Sequence, residues 1–285
     1  MKKIQSYCKI NLSLRVLRKL KSGYHNIQSL ITFCNISDII HVSQINDKKD
    51  KILFSGRFKK NINLRSNTIT KLLKILRKKN FLRKRKFEIK VQKNIPHGSG
   101  LGGGSSNAAS LLSYFNSFFK LKLTNKKIYQ LASKVGNDVP VCIVRKNSLI
   151  TGKRDQILRL NDGFKLNILI VYPNIVSSTK KIYLKNKTYS NVKKFNIFQF
   201  KHKKLLIDLL KNEKNDLQNT VIKNYPKIGQ ILTFISNMKG CYLSRITGSG
   251  SACIGIFDNK RKADIALKII KKKFPRYWCV ASKTI

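Results

Sequence analysis

Three places in the 285-residue sequence carry residues whose types and spacing could do chemistry. The first is the run Ile95-Pro96-His97-Gly98-Ser99-Gly100-Leu101-Gly102-Gly103-Gly104-Ser105-Ser106-Asn107-Ala108-Ala109. Glycine admits positive φ and lets backbone approach a ligand closely. Successive N–H groups can then converge on phosphate oxygens while a following helix N-terminus adds partial positive charge. This makes an anion cradle, and nucleotide phosphate suits it. A P-loop is excluded, because no lysine lies between Gly98 and Asn107. Gly98, Gly100 and Gly103 fit G-x-G-x-x-G, yet the acidic residue expected about 20 positions on is replaced by Lys120, Lys122, Lys126 and Lys127. A plain surface turn would leave the periodic segments on both sides unexplained.

The second place is the strand-like stretch 4–16. Ile10, Leu12, Leu14 and Val16 fall on one face, and Lys9 and Asn11 share the other, so that both polar heads can point into one cleft. An edge strand showing charge to water has the same pattern. The third is Asp138, one of only twelve carboxylates, set against Val139-Pro140-Val141-Cys142-Ile143-Val144, which reads as an apolar strand. A carboxylate partly withdrawn from water beside a lysine can take a hydroxyl proton near neutral pH. A helix-cap or turn aspartate is the competing reading.

These residues need elements to position them. Phe87, Ile89 and Val91 alternate with polar residues as a half-buried strand ending at Pro96. After the glycines, Ala108, Leu111, Leu112, Phe115, Phe118 and Phe119 recur at helical spacing, with Ser105, Ser106 and Asn107 as expected caps. Residues 30–42 read as one or two strands and 52–54 as another. Ser66 is expected to cap a helix burying Ile69, Leu72, Leu73 and Leu76, and Thr124 to cap one that stops at Gly136. Further on come a strand over 166–172, helices over 204–210 and 227–236, a strand over 252–257, a helix carrying Ala263, Ala266, Leu267 and Ile270, and a strand over 277–281. That succession is compatible with a ferredoxin-like α+β half.

Composition narrows the function classes. Lys+Arg number 60 against 12 Asp+Glu, a formal charge of +48 that favours anionic partners. The lysines are spread through the chain, densest at 77–86 and 185–204, so a dedicated nucleic-acid surface is not expected. The six cysteines show neither C-x-x-C nor metal-type spacing with the four histidines, which suits a reducing cytoplasm. Neither a secretory h-region nor an apolar run near 18 residues occurs, so no membrane partner is expected.

Pro-x-x-x-Gly-Leu-Gly followed by small residues, here PHGSGLGGGSSNAA, resembles the ATP-binding motif of the GHMP small-molecule kinases. The longer GLGGGSSNAA is most like members acting on a cytidine diphosphate-linked methylerythritol. Lys9-Ile10-Asn11-Leu12 resembles the family's first motif, although Tyr7 and Cys8 replace Pro-Ala, and Gly136-Asn137-Asp138-Val139-Pro140 resembles the motif carrying its catalytic aspartate. Gly23-Tyr24-His25, Asn215-Asp216-Leu217 and Thr247-Gly248-Ser249-Gly250 match further elements in the same order.

The resemblance implies an α+β, two-domain GHMP kinase fold: an N-terminal α/β domain over 1–160, a ferredoxin-like C-terminal domain over 161–285, and an active site in the cleft between them. It implies ATP and Mg²⁺ as cofactors, and phosphorylation of the 2-hydroxyl of the cytidyl substrate. Pro96, His97, Gly98, Ser99, Gly100, Leu101, Gly102, Gly103, Gly104, Ser105 and Ser106 would hold ATP, with Ser105 or Ser106 assisting Mg²⁺ and Asn67 near the adenine. Asp138 would act as base beside Lys9. Asn11, Tyr24, His25, Tyr183, Thr247 and Gly248 would bind the substrate, Tyr24 and Tyr183 flanking the cytosine and His25 reading its edge. A homodimer is compatible with this reading. The rivals are a GHMP kinase for homoserine, mevalonate or a sugar, and a basic nucleic-acid-binding protein, which would need its charge gathered with aromatics on one face.

Overall fold

The computed structural model describes residues 1–285 except 22, 61, 153–155 and 161–163. The chain opens with β1 (Lys2–Asn11), β2 (Arg15–Lys19), β3 (His25–Ile45), β4 (Lys51–Ser55), α1 (Thr68–Lys78) and β5 (Lys86–Gln92). Next come α2 (Gly103–Phe118), α3 (Asn125–Val135), the one-turn α4 (Val139–Cys142), β6 (Ser148–Thr151), β7 (Ile157–Arg159) and β8 (Asn167–Tyr172). The remainder is α5 (Thr179–Lys185), α6 (Lys203–Lys211), α7 (Gln218–Asn224), α8 (Pro226–Ser236), β9 (Cys241–Ile246), β10 (Cys253–Phe257), α9 (Lys260–Lys273) and β11 (Trp278–Lys283).

These elements group into two compact units, neither continuous in sequence. One comprises Met1–Lys9, Ile36–His97 and Gly102–Arg145; the other comprises Ile10–Asn35, Gly98–Leu101 and Lys146–Ile285. The boundary drawn at residue 160 from the sequence is a single cut, and it abuts residues 161–163, which lie outside the described residues.

In the first unit, the expected alternation of β5 is realised: Phe87, Ile89 and Val91 are buried. β5 pairs antiparallel with β3, placing Val91 opposite Ile40, and parallel with β4, placing Ile89 opposite Ile52. Helices α1, α2, α3 and α4 pack on one another. They bury Leu72 and Leu76 of α1, Leu112 and Phe115 of α2 and Leu131 of α3, each worth about 1.5–3 kcal/mol. The ring of Phe115 meets Phe87 at 5.0 Å.

Three local expectations are corrected here. The α1 cap is Asn67, not Ser66: its Oδ1 accepts from the Ile69 and Thr70 amides, and the Thr70 hydroxyl returns the bond by accepting from the Asn67 N–H. Helix α2 starts at Gly103, before the serines, because Gly102 at its N-cap has φ 66° and turns the chain without any side-chain cap. Residues 139–142 are helical rather than extended, since Pro140 near a helix start has its φ already set and lacks an N–H that no helical partner would receive.

In the second unit β8, β9, β10 and β11 form an antiparallel sheet in the order β11-β8-β10-β9. Counted along the chain this is fourth, first, third, second, the ferredoxin-like arrangement expected. Its core contains Leu169, Val171, Ile231, Ile235, Phe257, Ala266 and Ile270. The first half of β3 pairs with β2 and β6, and β6 with β7. Residues 179–185 form a helix, and α7, β6, β7 and β9 have no counterpart in the sequence reading.

A buried ion cluster fastens β2 within this unit. Glu213, its side chain 1% exposed, accepts from Arg15 Nε at 2.9 Å, Arg15 Nη2 at 3.0 Å and Lys193 Nζ at 2.8 Å. Burial alone raises the carboxyl's proton affinity, but the hydrogen bonds and charges of Arg15 and Lys193 outweigh it and leave the pKa below the usual glutamate value. The unfolded chain therefore binds the proton first. Stability from this group is full above the unfolded pKa and is lost as pH falls through the depressed folded value. Urea unfolding is expected to show Glu213→Gln less stable than wild type by about 2 kcal/mol at pH 7, with the gap closing as acid protonates the wild-type carboxyl. A gap independent of pH would remove the ion cluster as its cause.

Candidate active site

The Lys9 side chain is drawn into the first unit along β1, between buried Cys8 and Ile10. It is 3% exposed, and its Nζ lies 3.1 Å from Asp138 Oδ2, on a side chain 37% exposed. Asp138 occupies the N-cap position of α4 but makes no capping hydrogen bond. The cap reading is thereby set aside, and the carboxylate faces an ammonium on one side and solvent on the other.

The aliphatic stem of Lys9 runs across the start of α2. A Cβ at Gly102 would lie 2.6 Å from Lys9 Cγ and 2.9 Å from Cε. Gly102 is thus needed twice, for its left-handed φ and for the space that Lys9 fills. The amides of Gly103, Gly104 and Ser105 precede the first helical bond, from the Ser106 N–H to the Gly102 carbonyl at 2.9 Å. They form the anion-seeking end of the helix. The turn is anchored further by the Thr68 hydroxyl donating to the Gly104 carbonyl at 2.7 Å. Ser105 is partly exposed, whereas Ser106 is buried and its Oγ lies 3.4 Å from Cys142 Sγ.

A cavity of about 330 Å³ in the same unit is lined by Arg65, Ser66, Asn67, Thr68, Thr70, Lys71 and Lys74. The Asn67 side chain is engaged by its cap and by the Asn63 and Leu64 carbonyls, so it shapes this wall as part of the α1 start. Pro96 is buried and His97 half-buried, its pKa lowered first by burial and then by the Lys93 charge.

The other expected residues belong to the second unit. There the turn 98–101 meets the second glycine-rich turn, backbone to backbone. A Cβ at Gly100 (φ 84°) would fall 2.0 Å from the Thr247 carbonyl oxygen, and one at Gly248 (φ 56°) 3.2 Å from the Gly100 oxygen. The Ser99 carbonyl accepts from the Ala252 N–H at 2.9 Å. Thr247 Oγ1 accepts the Asn11 N–H at 2.9 Å, and Asn11 Nδ2 donates to Ser29 Oγ at 2.8 Å. Lys9 and Asn11, two residues apart, therefore engage different partners. Asn215 Nδ2 donates to the carbonyls of Ile246 (3.1 Å) and Gly248 (2.8 Å), which gives the Asn-Asp-Leu segment a visible task.

At the entrance to β3, Tyr24 is 47% exposed and follows a tight turn in which Gly23 has φ 79°. The His25 ring lies 5.0 Å from that of Tyr183, tilted by 35°, and 6.5 Å from that of Tyr189, near-parallel at 22°. Burial, then the Lys19 charge, lowers the His25 pKa and keeps the imidazole neutral at pH 7. Sequence reasoning passed over Tyr189, which stands out from its lysine-rich loop only in space. It also passed over Asp38, whose signal was a carboxylate inside the apolar run Ile36-Ser37-Asp38-Ile39-Ile40.

Comparison with known proteins turns this geometry into a family. The sequence profile of the GHMP kinases N terminal domain matches residues 67–146, and that of the GHMP kinases C terminal region matches 198–276. A protein of Pelagibacter ubique described as 4-diphosphocytidyl-2-C-methyl-D-erythritol kinase is 40% identical, with 99% of each chain covered. The chain belongs to the GHMP kinase family. A second relative of the same description, from Caldanaerobacter subterraneus, is 32% identical over 99% of this chain and 96% of its own. The crystal structure of a 4-(cytidine 5'-diphospho)-2C-methyl-D-erythritol kinase superposes with TM-score 0.77 at 20% identity, covering 99% of each chain. A homoserine kinase from Cytophaga hutchinsonii superposes with TM-score 0.70 at 14% identity, over 100% of this chain and 96% of that one. These two superpositions speak to the fold, which is the GHMP kinase fold expected, and the chain is an ATP-dependent small-molecule kinase.

In a GHMP kinase, the position of Lys9 over Gly102 gives a direct test. Gly102→Ala is expected to push the Lys9 stem aside and lower kcat by about a hundredfold, while far-UV circular dichroism stays as in wild type. Unaltered turnover would show that the lysine tolerates displacement.

Proposed function

We propose that this chain transfers the γ-phosphoryl group of ATP to the 2-hydroxyl of 4-diphosphocytidyl-2-C-methyl-D-erythritol. The observation that carries the reading is the buried Lys9 ammonium held 3.1 Å from a partly exposed Asp138 carboxylate, with the lysine stem lying on Gly102, the N-cap of helix α2. Relatives carrying that substrate in their description extend over 99% of the chain.

In this reading the glycine-rich run 96–106 takes the nucleotide phosphates. The first-turn amides of α2 supply donors and the helix dipole supplies partial charge. The cavity beside Asn67 takes the base. Asp138 accepts the proton of the acceptor hydroxyl. Lys9 orients the carboxylate and offsets the charge that grows on the transferring group. Because the phosphoryl transition state is loose, placement and charge compensation supply most of the rate.

Mg²⁺ is part of the proposal. The described residues contain no cluster of three or more His, Cys, Asp or Glu that could hold a metal. Mg²⁺ in phosphoryl-transfer enzymes keeps several waters and takes one or two protein oxygens besides phosphate, so the sparse donor set fits. The partly exposed Ser105 hydroxyl is the protein oxygen that would hold it, whereas the Ser106 hydroxyl is turned toward Cys142. When bound, the ion neutralises charge on the phosphates.

Substrate selection falls to Tyr24, His25 and Tyr183. A π-face stacks on any base, but the neutral imidazole of His25 offers one donor and one acceptor, which can discriminate the cytosine edge. Thr247 and Gly248, in the turn that the Asn11 N–H holds through Thr247 Oγ1, would lie by the substrate's phosphates. No helix among the described residues is long and apolar enough to cross a membrane. The six free cysteines suit a reducing compartment, and on that ground we place the enzyme in the cytoplasm. ADP release measured with the cytidyl acceptor, and with homoserine, mevalonate or galactose in its place, tests the substrate; turnover on any of the other three but not on the cytidyl compound would overturn it.

The two halves of the reading separate kinetically. Asp138→Asn is expected to lower kcat by roughly a hundredfold to ten-thousandfold with the KM for ATP within threefold of wild type. Tyr24→Ala is expected to raise the KM for the cytidyl acceptor by about tenfold to a hundredfold with little change in the KM for ATP. A folded Asp138→Asn enzyme with wild-type kcat would remove the base from the scheme.

A further inference from the structure

The first unit contains a buried carboxylate that the scheme above does not use. Asp38, on β3, has no solvent exposure, and four donors converge on it. Its Oδ1 accepts from the Asn94 N–H at 2.8 Å and the Ile95 N–H at 2.9 Å. Its Oδ2 accepts from Asn107 Nδ2 at 3.0 Å and forms an ion pair with the ammonium of Lys93, itself almost wholly buried. The first three of these donors belong to the two ends of the glycine-rich run: Asn94 and Ile95 lead into it, and Asn107 lies one turn into α2.

The carboxylate is therefore a clamp across the base of the loop. The segment it holds is also tied from the other side, where the Lys93 N–H donates to the Ser55 carbonyl at 2.8 Å and the Phe58 N–H to the Lys93 carbonyl at 3.2 Å. Segment and helix are in close register. A Cβ at Gly103 would stand 3.0 Å from Ile95 Cγ2 and 3.3 Å from Lys93 Nζ, so the helix start is seated directly on residues that Asp38 fixes. The amides aimed at phosphate can hold their direction only as well as this seat does.

We propose that Asp38 is a positioning residue for nucleotide binding, acting through Lys93, Asn94, Ile95 and Asn107 to set the direction of the first turn of α2. The proposal rests on reading that turn as the phosphate site. Asp38→Asn is the informative change, since shape is kept and Nδ2 becomes a donor set against the Lys93 ammonium and the Asn107 amide.

The test is calorimetric titration of the whole protein with ATP·Mg²⁺ and no acceptor, beside a thermal melt. Asp38→Asn is expected to weaken ATP binding about tenfold, while the KM for the acceptor at saturating ATP stays within twofold. Adding Lys93→Met removes one of the facing donors and is expected to recover part of the loss. If Asp38→Asn fails to fold, Asn107→Leu breaks only the helix side of the clamp and is expected to weaken ATP binding about threefold. A folded variant of either kind that melts earlier but binds ATP as wild type does would overturn the positioning role. Wild-type protein that does not bind ATP would instead overturn the phosphate-site reading beneath it.

Discussion

An ammonium group withdrawn almost completely from water needs a counter-charge and a walled path for its stem, and Lys9 has both. The counter-charge is Asp138, and the wall is the start of α2, where only a glycine leaves room. Several features of the first unit follow. β1 must carry the lysine inward between apolar neighbours, the glycine at 102 can bear no side chain, and a one-turn helix must begin at a carboxylate that is not consumed by capping. In the proposed reading, that withdrawal also makes the ammonium useful, because a charge with little competing solvent acts more strongly on a phosphoryl group nearby.

The same logic governs how the chain deploys scarce acid. With 60 basic residues and 12 acidic ones, each folded unit carries strong self-repulsion, screened beyond roughly 8–10 Å at physiological salt. Buried and partly buried carboxylates sit where cations and backbone amides must be held at element junctions. Asp50 takes Arg77 at 2.6 and 2.9 Å together with the Phe87 N–H at 2.9 Å, joining α1 to β5. Glu213 fastens β2, and Asp216 receives the Val16 N–H at 2.8 Å. Asp38 collects four donors. The net charge of the chain is carried by exposed lysines, and the ordered charge by these few acids.

Glycine plays the complementary part. Gly100 and Gly248 allow two turns of the second unit to touch through backbone, a contact that a Cβ at Gly100 would prevent. A turn built of backbone against backbone presents amides and carbonyls in fixed directions, as recognition of phosphate or of a sugar hydroxyl requires. Asn215, donating to the Ile246 and Gly248 carbonyls, keeps the second of these turns in place.

Local patterning was enough for β5, the body of α2, α3 with its Thr124 cap, α8 and α9, because each buries one face against a neighbour and so carries a period of 2 or 3.6, and for β8 and β11, which read as short apolar runs. It misjudged helix starts wherever backbone geometry or a neighbouring side chain competes, as at Asn67, Gly102 and Pro140. By itself the sequence determined the fold class, the family and the positions of lysine, aspartate and glycines, since those rest on residue types in fixed local order. Only the tertiary structure decided which charges meet. That the ammonium of Lys9 reaches Asp138 across 129 positions of chain, that Asp38 closes the base of the glycine loop, and that Tyr189 joins Tyr183 around His25 are consequences of packing. Nothing in local spacing encodes contacts between residues brought together by a sheet and its covering helices.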